Sequence, residues 1–160
     1  LILAIEVGLI LSSFMFMKRM GEAMTITNKG VVLEGNHPDT EQLFEDEKLE
    51  IPKGVELYEI NGPLFFGASQ KFQETLQDLH QKPKILIIRL RYVPFIDATG
   101  LYRLTELIKN LKKGGTDVLL SGVAENVRRE ILKSANLNII KPHDIFNTIH
   151  DAISAAREKL

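Results

Sequence analysis

Apolar residues follow three different rhythms along this chain. Residues 1–17, LILAIEVGLILSSFMFM, are almost unbroken hydrocarbon with one charge, Glu6, and Lys18 and Arg19 come directly after them. Such a run predicts a helix that is apolar all round. From residue 48 the rhythm shortens. Residues 48–52 read as a first strand, Lys53-Gly54 as a turn, and residues 55–60 alternate as a second strand that would pair with the first as a hairpin. Ala68, Phe72, Leu76 and Leu79 recur at helical spacing, so a helix is predicted over 68–81, stopped by Pro83. Residues 85–88, Ile-Leu-Ile-Ile, form the continuous branched run of a strand covered on both faces. Leu101, Leu104, Leu107, Ile108 and Leu111 mark one side of the next helix, which starts near Thr99 and ends at Gly114-Gly115. Residues 118–120 give another buried strand, Val127, Ile131, Leu132 and Ala135 a helix, and 137–140 a short last strand. Asp144 is then expected to cap a final helix with the stripe Ile145, Ile149, Ile153 and Ala156.

Strand and helix alternate, so the expected fold class is α/β, a mixed sheet flanked by helices and preceded by an apolar N-terminal helix. Between the apolar head and the α/β region lies weakly patterned sequence. Val31-Val32-Leu33 suggests a short extended piece, and Asp39, Glu41, Glu45, Asp46, Glu47 and Glu50 make the end acidic. The division is therefore 1–20 apolar helix, 21–46 acidic linker and 47–160 α/β domain. The linker reads as solvated; an acidic docking face is the alternative.

Composition narrows the function. The 160 residues are 44% apolar and 26% charged, with net charge −1, which gives no electrostatic footprint for nucleic acid. There is no Cys, and the four His form no metal-ligand spacing, so no metal or other cofactor is expected. The apolar head is slightly short for a full span of about 20 residues, and its trailing basic residues favour a cytoplasmic location for the chain beyond Arg19. It reads as the end of a membrane helix; a buried or surface helix is the alternative.

The strongest local signal is Phe95-Ile96-Asp97-Ala98-Thr99-Gly100-Leu101, where a buried strand turns into a helix. Backbone N–H groups and the positive end of a helix dipole point outward there, which suits an anion. Thr99 reads as the helix N-cap, with a role as phosphate acceptor as the alternative; Asp97 would order the loop or cap the helix, and Gly100 would permit close packing. Ser121-Gly122 comes after a strand but has no assignable His and Asp partners, so it reads as a turn. Arg128, Arg129 and Lys133 form a basic helix face, solvated by default or docked to an acidic partner such as the linker. Phe65 and Phe66 come soon after Pro63; at least one belongs to the core, and the other is a candidate interface anchor. No P-loop and no Gly-x-Ser-x-Gly elbow is present. No catalytic residues are assigned, and the chain is not expected to be an enzyme.

The element order, with Asp97-Ala98-Thr99-Gly100 opening the second helix, resembles a STAS domain over about residues 47–160. Tyr58-Glu59-Ile60-Asn61-Gly62-Pro63-Leu64-Phe65-Phe66-Gly67-Ala68, with the head Ala4-Ile5-Glu6-Val7-Gly8-Leu9 and Met17-Lys18-Arg19-Met20, is similar to the sulfate permease (SulP) family of anion transporters. The resemblance implies a cytoplasmic regulatory and assembly domain of a sulfate or related anion transporter of the cell's inner membrane. Its partners would be the transporter's own transmembrane domain, upstream of this segment, and a second copy in a homodimer. A cytoplasmic protein, a nucleotide or an acyl carrier would be the ligand class at the helix N-terminus, and nothing in the sequence selects among them. In the antagonist branch of the STAS family the residue after the Asp is a phosphorylated Ser; here it is Ala98, so that switch is absent. A partner-switch regulator of the anti-sigma-factor antagonist type is the alternative function, and a small α/β enzyme a third.

Overall fold

The computed structural model describes residues 1–22, 25–28, 49–64, 82–133 and 138–160. The predicted helix over 68–81, Phe65 and Phe66, Val31-Val32-Leu33 and the acidic residues 39–47 lie outside these described residues.

Helix α1 covers Ile2–Glu22. Its apolar side chains stand exposed on every side, from Ile2 and Leu3 through Phe14, Met15 and Phe16. Among the described residues no helix is long and apolar enough to cross a membrane.

Five strands form one sheet in the order β1 to β5: β1 Thr25–Asn28, β2 Val55–Asn61, β3 Ile85–Tyr92, β4 Asp117–Ser121 and β5 Ile145–Phe146. β1 runs antiparallel to β2, and the remaining neighbours are parallel. The sheet is thus mixed, as expected, but two strands differ from expectation. The antiparallel partner of β2 is β1, which falls inside the stretch read as linker, and not residues 48–52. Leu49 and Ile51 instead pack as side chains against one face of the sheet, and the Glu50 carbonyl accepts from Arg157 at 3.1 Å. With β1 on the edge of β2, no pairing edge is left there for 49–52.

The last strand also moves. Residues 138–140 turn, Pro142–Asp144 form a single 3-10 turn, and β5 comes after it. Pro142 has no N–H to give a ladder, which favours this position outside the strand. Ile145 therefore belongs to a strand rather than to the final helix. That helix, α4 (Ile149–Lys159), is capped by Thr148, whose hydroxyl accepts from the Asp151 N–H at 3.1 Å, and not by Asp144.

Helices α2 (Ala98–Lys113) and α3 (Glu125–Lys133) cover one face of the sheet and α4 the other. Alternate residues of β3 divide between them: Leu86, Ile88 and Leu90 join Leu104, Ile108, Val127 and Ile131, while Ile85 and Ile87 join Ile149, Ile153 and Ala156. This two-faced burial is why β3 reads as an unbroken apolar run. Thr116 closes the α2–β4 turn, its hydroxyl donating to the Pro83 carbonyl at 2.8 Å.

Candidate functional site

The site is built where β2 and β3 end side by side. Gly62 takes a φ of +102° and donates its N–H to the Tyr92 carbonyl at 3.1 Å. Only glycine adopts that φ without strain. The two chains then continue in parallel: Leu64 N–H donates to Phe95 O and Asp97 N–H to Leu64 O, each at 3.2 Å. Leu64 is fully buried and Ile96 nearly so, which fixes this extension to the core.

Asp97 ends the extended segment and caps α2. Its φ is −90° and ψ 174°, and its Oδ1 accepts the Gly100 N–H at 2.6 Å. The cap is therefore Asp97, not Thr99 as the sequence suggests. Thr99 is the second residue inside the helix and half-buried, and Ala98, the first, is exposed. A carboxylate accepts at this position and meets the helix dipole favourably, so it outcompetes a hydroxyl two residues on. Gly100 is buried, and a Cβ there would run into the Leu64 carbonyl. Its missing side chain lets the extension of β2 lie against the first turn of α2.

Around this turn the surface is aromatic and basic. Tyr92, Phe95 and Tyr102 are exposed, with the Arg91 guanidinium 4.4 Å from the Tyr92 ring centre and that of Arg103 5.9 Å from the Tyr102 ring centre. Beside it a shallow cleft of about 200 Å³ lies between Phe95-Ile96 and Asn126, Val127, Arg129 and Glu130 of α3. Asn126 holds the two walls together, donating to the Pro94 carbonyl at 2.8 Å.

Comparison with known proteins matches residues 46–152 to the STAS domain. The chain belongs to the STAS domain family. Its STAS fold is 35% identical to a sulfate transporter family protein of Wolinella succinogenes, over 77% of this chain and 97% of that one, with a TM-score of 0.65. It is 32% identical to the SulP transporter STAS domain of Vibrio cholerae, over 69% and 86% of the two chains, with a TM-score of 0.61. The Bacillus subtilis protein YvdB, a sulfate transporter by name, is 28% identical over 155 residues, 96% of this chain and 27% of its own length. The chain thus spans about a quarter of the length of the curated relatives it matches. It is homologous to the STAS domains of SulP sulfate transporters.

In this STAS domain the basic pair divides. Arg128 is half-buried and donates to the Asn147 side chain at 3.0 Å, tying α3 to the loop after β5. Arg129 is exposed and lines the cleft beside Phe95. Ser121 is wholly buried at the end of β4, so its hydroxyl is not an accessible nucleophile. Gly122 makes the turn after it with a φ of +65°.

Two ionic arrangements are not visible in the sequence pattern. Glu59, 2% exposed, stands opposite Arg89 in the β2–β3 register, with Arg89 Nη1 at 3.5 Å and Arg91 Nε at 3.7 Å from its Oε2. The alternation of β2 suggests a solvent face, but the strand is covered on both faces and its carboxylate is met by guanidinium. At the opposite end of the sheet, Lys159 Nζ lies 2.7 Å from Asp117 Oδ2 and 3.6 Å from Asp144 Oδ1. Lys112 Nζ lies 3.2 Å from Asp144 Oδ2. Burial works to raise the Asp117 pKa, but the Lys159 hydrogen bond and charge, with the Val118 N–H and Lys112, outweigh it and hold it below 3.8. Burial likewise opposes the charge on Lys159, and the two carboxylates overcome it, so its pKa rises above 10.5. Among the described residues no group of His, Asp and Glu is arranged to hold a metal ion.

Proposed function

We propose that this chain is the cytoplasmic regulatory and assembly domain of a SulP-type secondary transporter for sulfate or a related anion, joined to the end of the last membrane helix. The observation that carries this is the extent of the match to YvdB. The STAS family match begins at residue 46, yet the likeness to YvdB runs over 96% of the chain and so takes in α1 as well. The head and the STAS domain therefore occur together in a protein named for sulfate transport. An exposed helix rich in large apolar side chains, with Lys18 and Arg19 near its C-terminal end, suits the cytoplasmic end of a membrane helix.

On this reading the anion path lies in the membrane domain, and the STAS domain supports folding, dimer contacts and control. The junction at Asp97–Gly100 serves as a regulatory surface. Ala98 leaves it without the hydroxyl of a partner-switch regulator, and the chain carries out no chemistry of its own. The coding frame upstream of Leu1 tests the proposal. Several apolar segments of about 20 residues are expected there. A start codon directly before Leu1 would overturn the transporter reading.

A further inference from the structure

This inference rests on the proposal that α1 is held in a membrane. β1 pairs with β2 so that Thr25 stands opposite Asn61 and Asn28 opposite Tyr58. The chain therefore enters the sheet at the C-terminal edge of the parallel strands. α1 ends at Glu22 and β1 begins at Thr25, three residue steps that reach at most about 11 Å. Wherever the end of α1 is held, that edge of the sheet is held close by. Lys18 and Arg19 near that end set the level of the headgroups.

The same edge carries the exposed aromatic side chains. Outside α1, the exposed large apolar side chains among the described residues are Tyr92, Phe95, Tyr102 and the terminal Leu160. Tyr92 closes β3, Phe95 lies in the loop after it, and Tyr102 is in the second turn of α2. All three thus gather at the edge where the chain arrives from α1. Arg91 and Arg103 lie over the two tyrosine rings. A ring with a polar tip suits the boundary between hydrocarbon and water, and a guanidinium pairs with phosphate through two parallel hydrogen bonds.

We infer that this edge of the STAS domain lies on the anionic lipid surface. Tyr92, Phe95 and Tyr102 enter the headgroup layer, and Arg103 meets lipid phosphate, while Arg91 stays with Glu59. The STAS domain is then docked to the bilayer by a face of its own and does not merely hang from α1. The tether is short enough that this contact forms without unpairing β1.

The chain has no Cys, so single reporters can be placed cleanly. Ala98→Cys puts an environment-sensitive fluorophore at the edge, and Lys53→Cys puts one at the opposite end of the sheet. Each labelled chain is floated with vesicles of phosphatidylcholine, with and without phosphatidylglycerol. Failure to float with either overturns the membrane reading of α1 and this inference with it. When the chain floats, the label at residue 98 should be shielded from an aqueous quencher in the phosphatidylglycerol vesicles, and the label at residue 53 should not. Arg103→Ala should weaken binding to those vesicles about five-fold, with little change on phosphatidylcholine alone. Equal quenching at the two positions overturns the inference and leaves the reading of α1 standing. Shielding at residue 98 that is indifferent to phosphatidylglycerol overturns the lipid assignment as well.

Discussion

Asp97 and Gly100 hold the same turn by different means, and their variants should separate. Asp97→Ala removes the acceptor for the Gly100 N–H but leaves the backbone path intact. It should cost about 1 kcal/mol of unfolding free energy. Gly100→Ala forces a methyl group against the Leu64 carbonyl, and backbone cannot step aside as a flexible side chain can. It should cost about 1–3 kcal/mol and disturb the β2 extension too. Urea titration of the two variants measures the difference. Equal, small effects would show that the close approach is not tight. Glu59→Ala leaves Arg89 buried without its carboxylate and should cost about 3–5 kcal/mol by the same titration. The junction at Asp97–Gly100 was legible because a buried strand, an Asp and a Gly coincide within a few residues. The choice of cap was not, because Asp97 and Thr99 are both good caps and only the backbone angles decide. The Glu59–Arg89 contact was hidden for another reason. It depends on the register between two strands, which neither strand's own pattern contains.

The helices and strands held by ionic contacts have their own pH behaviour. α4 is fastened to the start of β4 and to the 3-10 turn by Lys159, between Asp117 and Asp144. Asp117 has its pKa lowered on folding, so its contribution to stability is present above 3.8 and is lost as pH falls through the lower folded value. Lys159 has its pKa raised, so its contribution is present below 10.5 and is lost as pH climbs through the higher folded value. The pair therefore supports the fold across the whole neutral range. Asp117→Asn should flatten the acid limb of a stability–pH profile measured by thermal melting, and an unchanged acid limb would remove Asp117 from this role. Among the elements, α2 and β3 were the most readable, since each buries a long periodic set against the same core cluster. β1 and β5 were the least. A four-residue Thr-Ile-Thr-Asn and a two-residue Ile-Phe are too short to carry a period, and their pairing comes from the edges that β2 and β4 offer.

At the scale of the whole molecule, a helix whose large apolar side chains stand exposed is joined to a domain that buries its own core on both sheet faces. Among the described residues the two core clusters take in no residue of α1, and the large apolar side chains of α1 stand exposed. The transporter proposal accounts for that division by placing one part in lipid and the other in water. It was legible in the sequence as the contrast between residues 1–17 and the rest. What that contrast could not supply is the geometry of the join, where β1 turns one edge of the sheet toward the end of α1. The most direct test is tracer uptake of sulfate and of a panel of related anions by cells carrying the full-length protein. The same protein ending after residue 46 is compared at equal abundance in the membrane. The account predicts uptake by the full chain and a several-fold loss on removing the STAS domain. No anion uptake by the full chain, or undiminished uptake without the STAS domain, would contradict it.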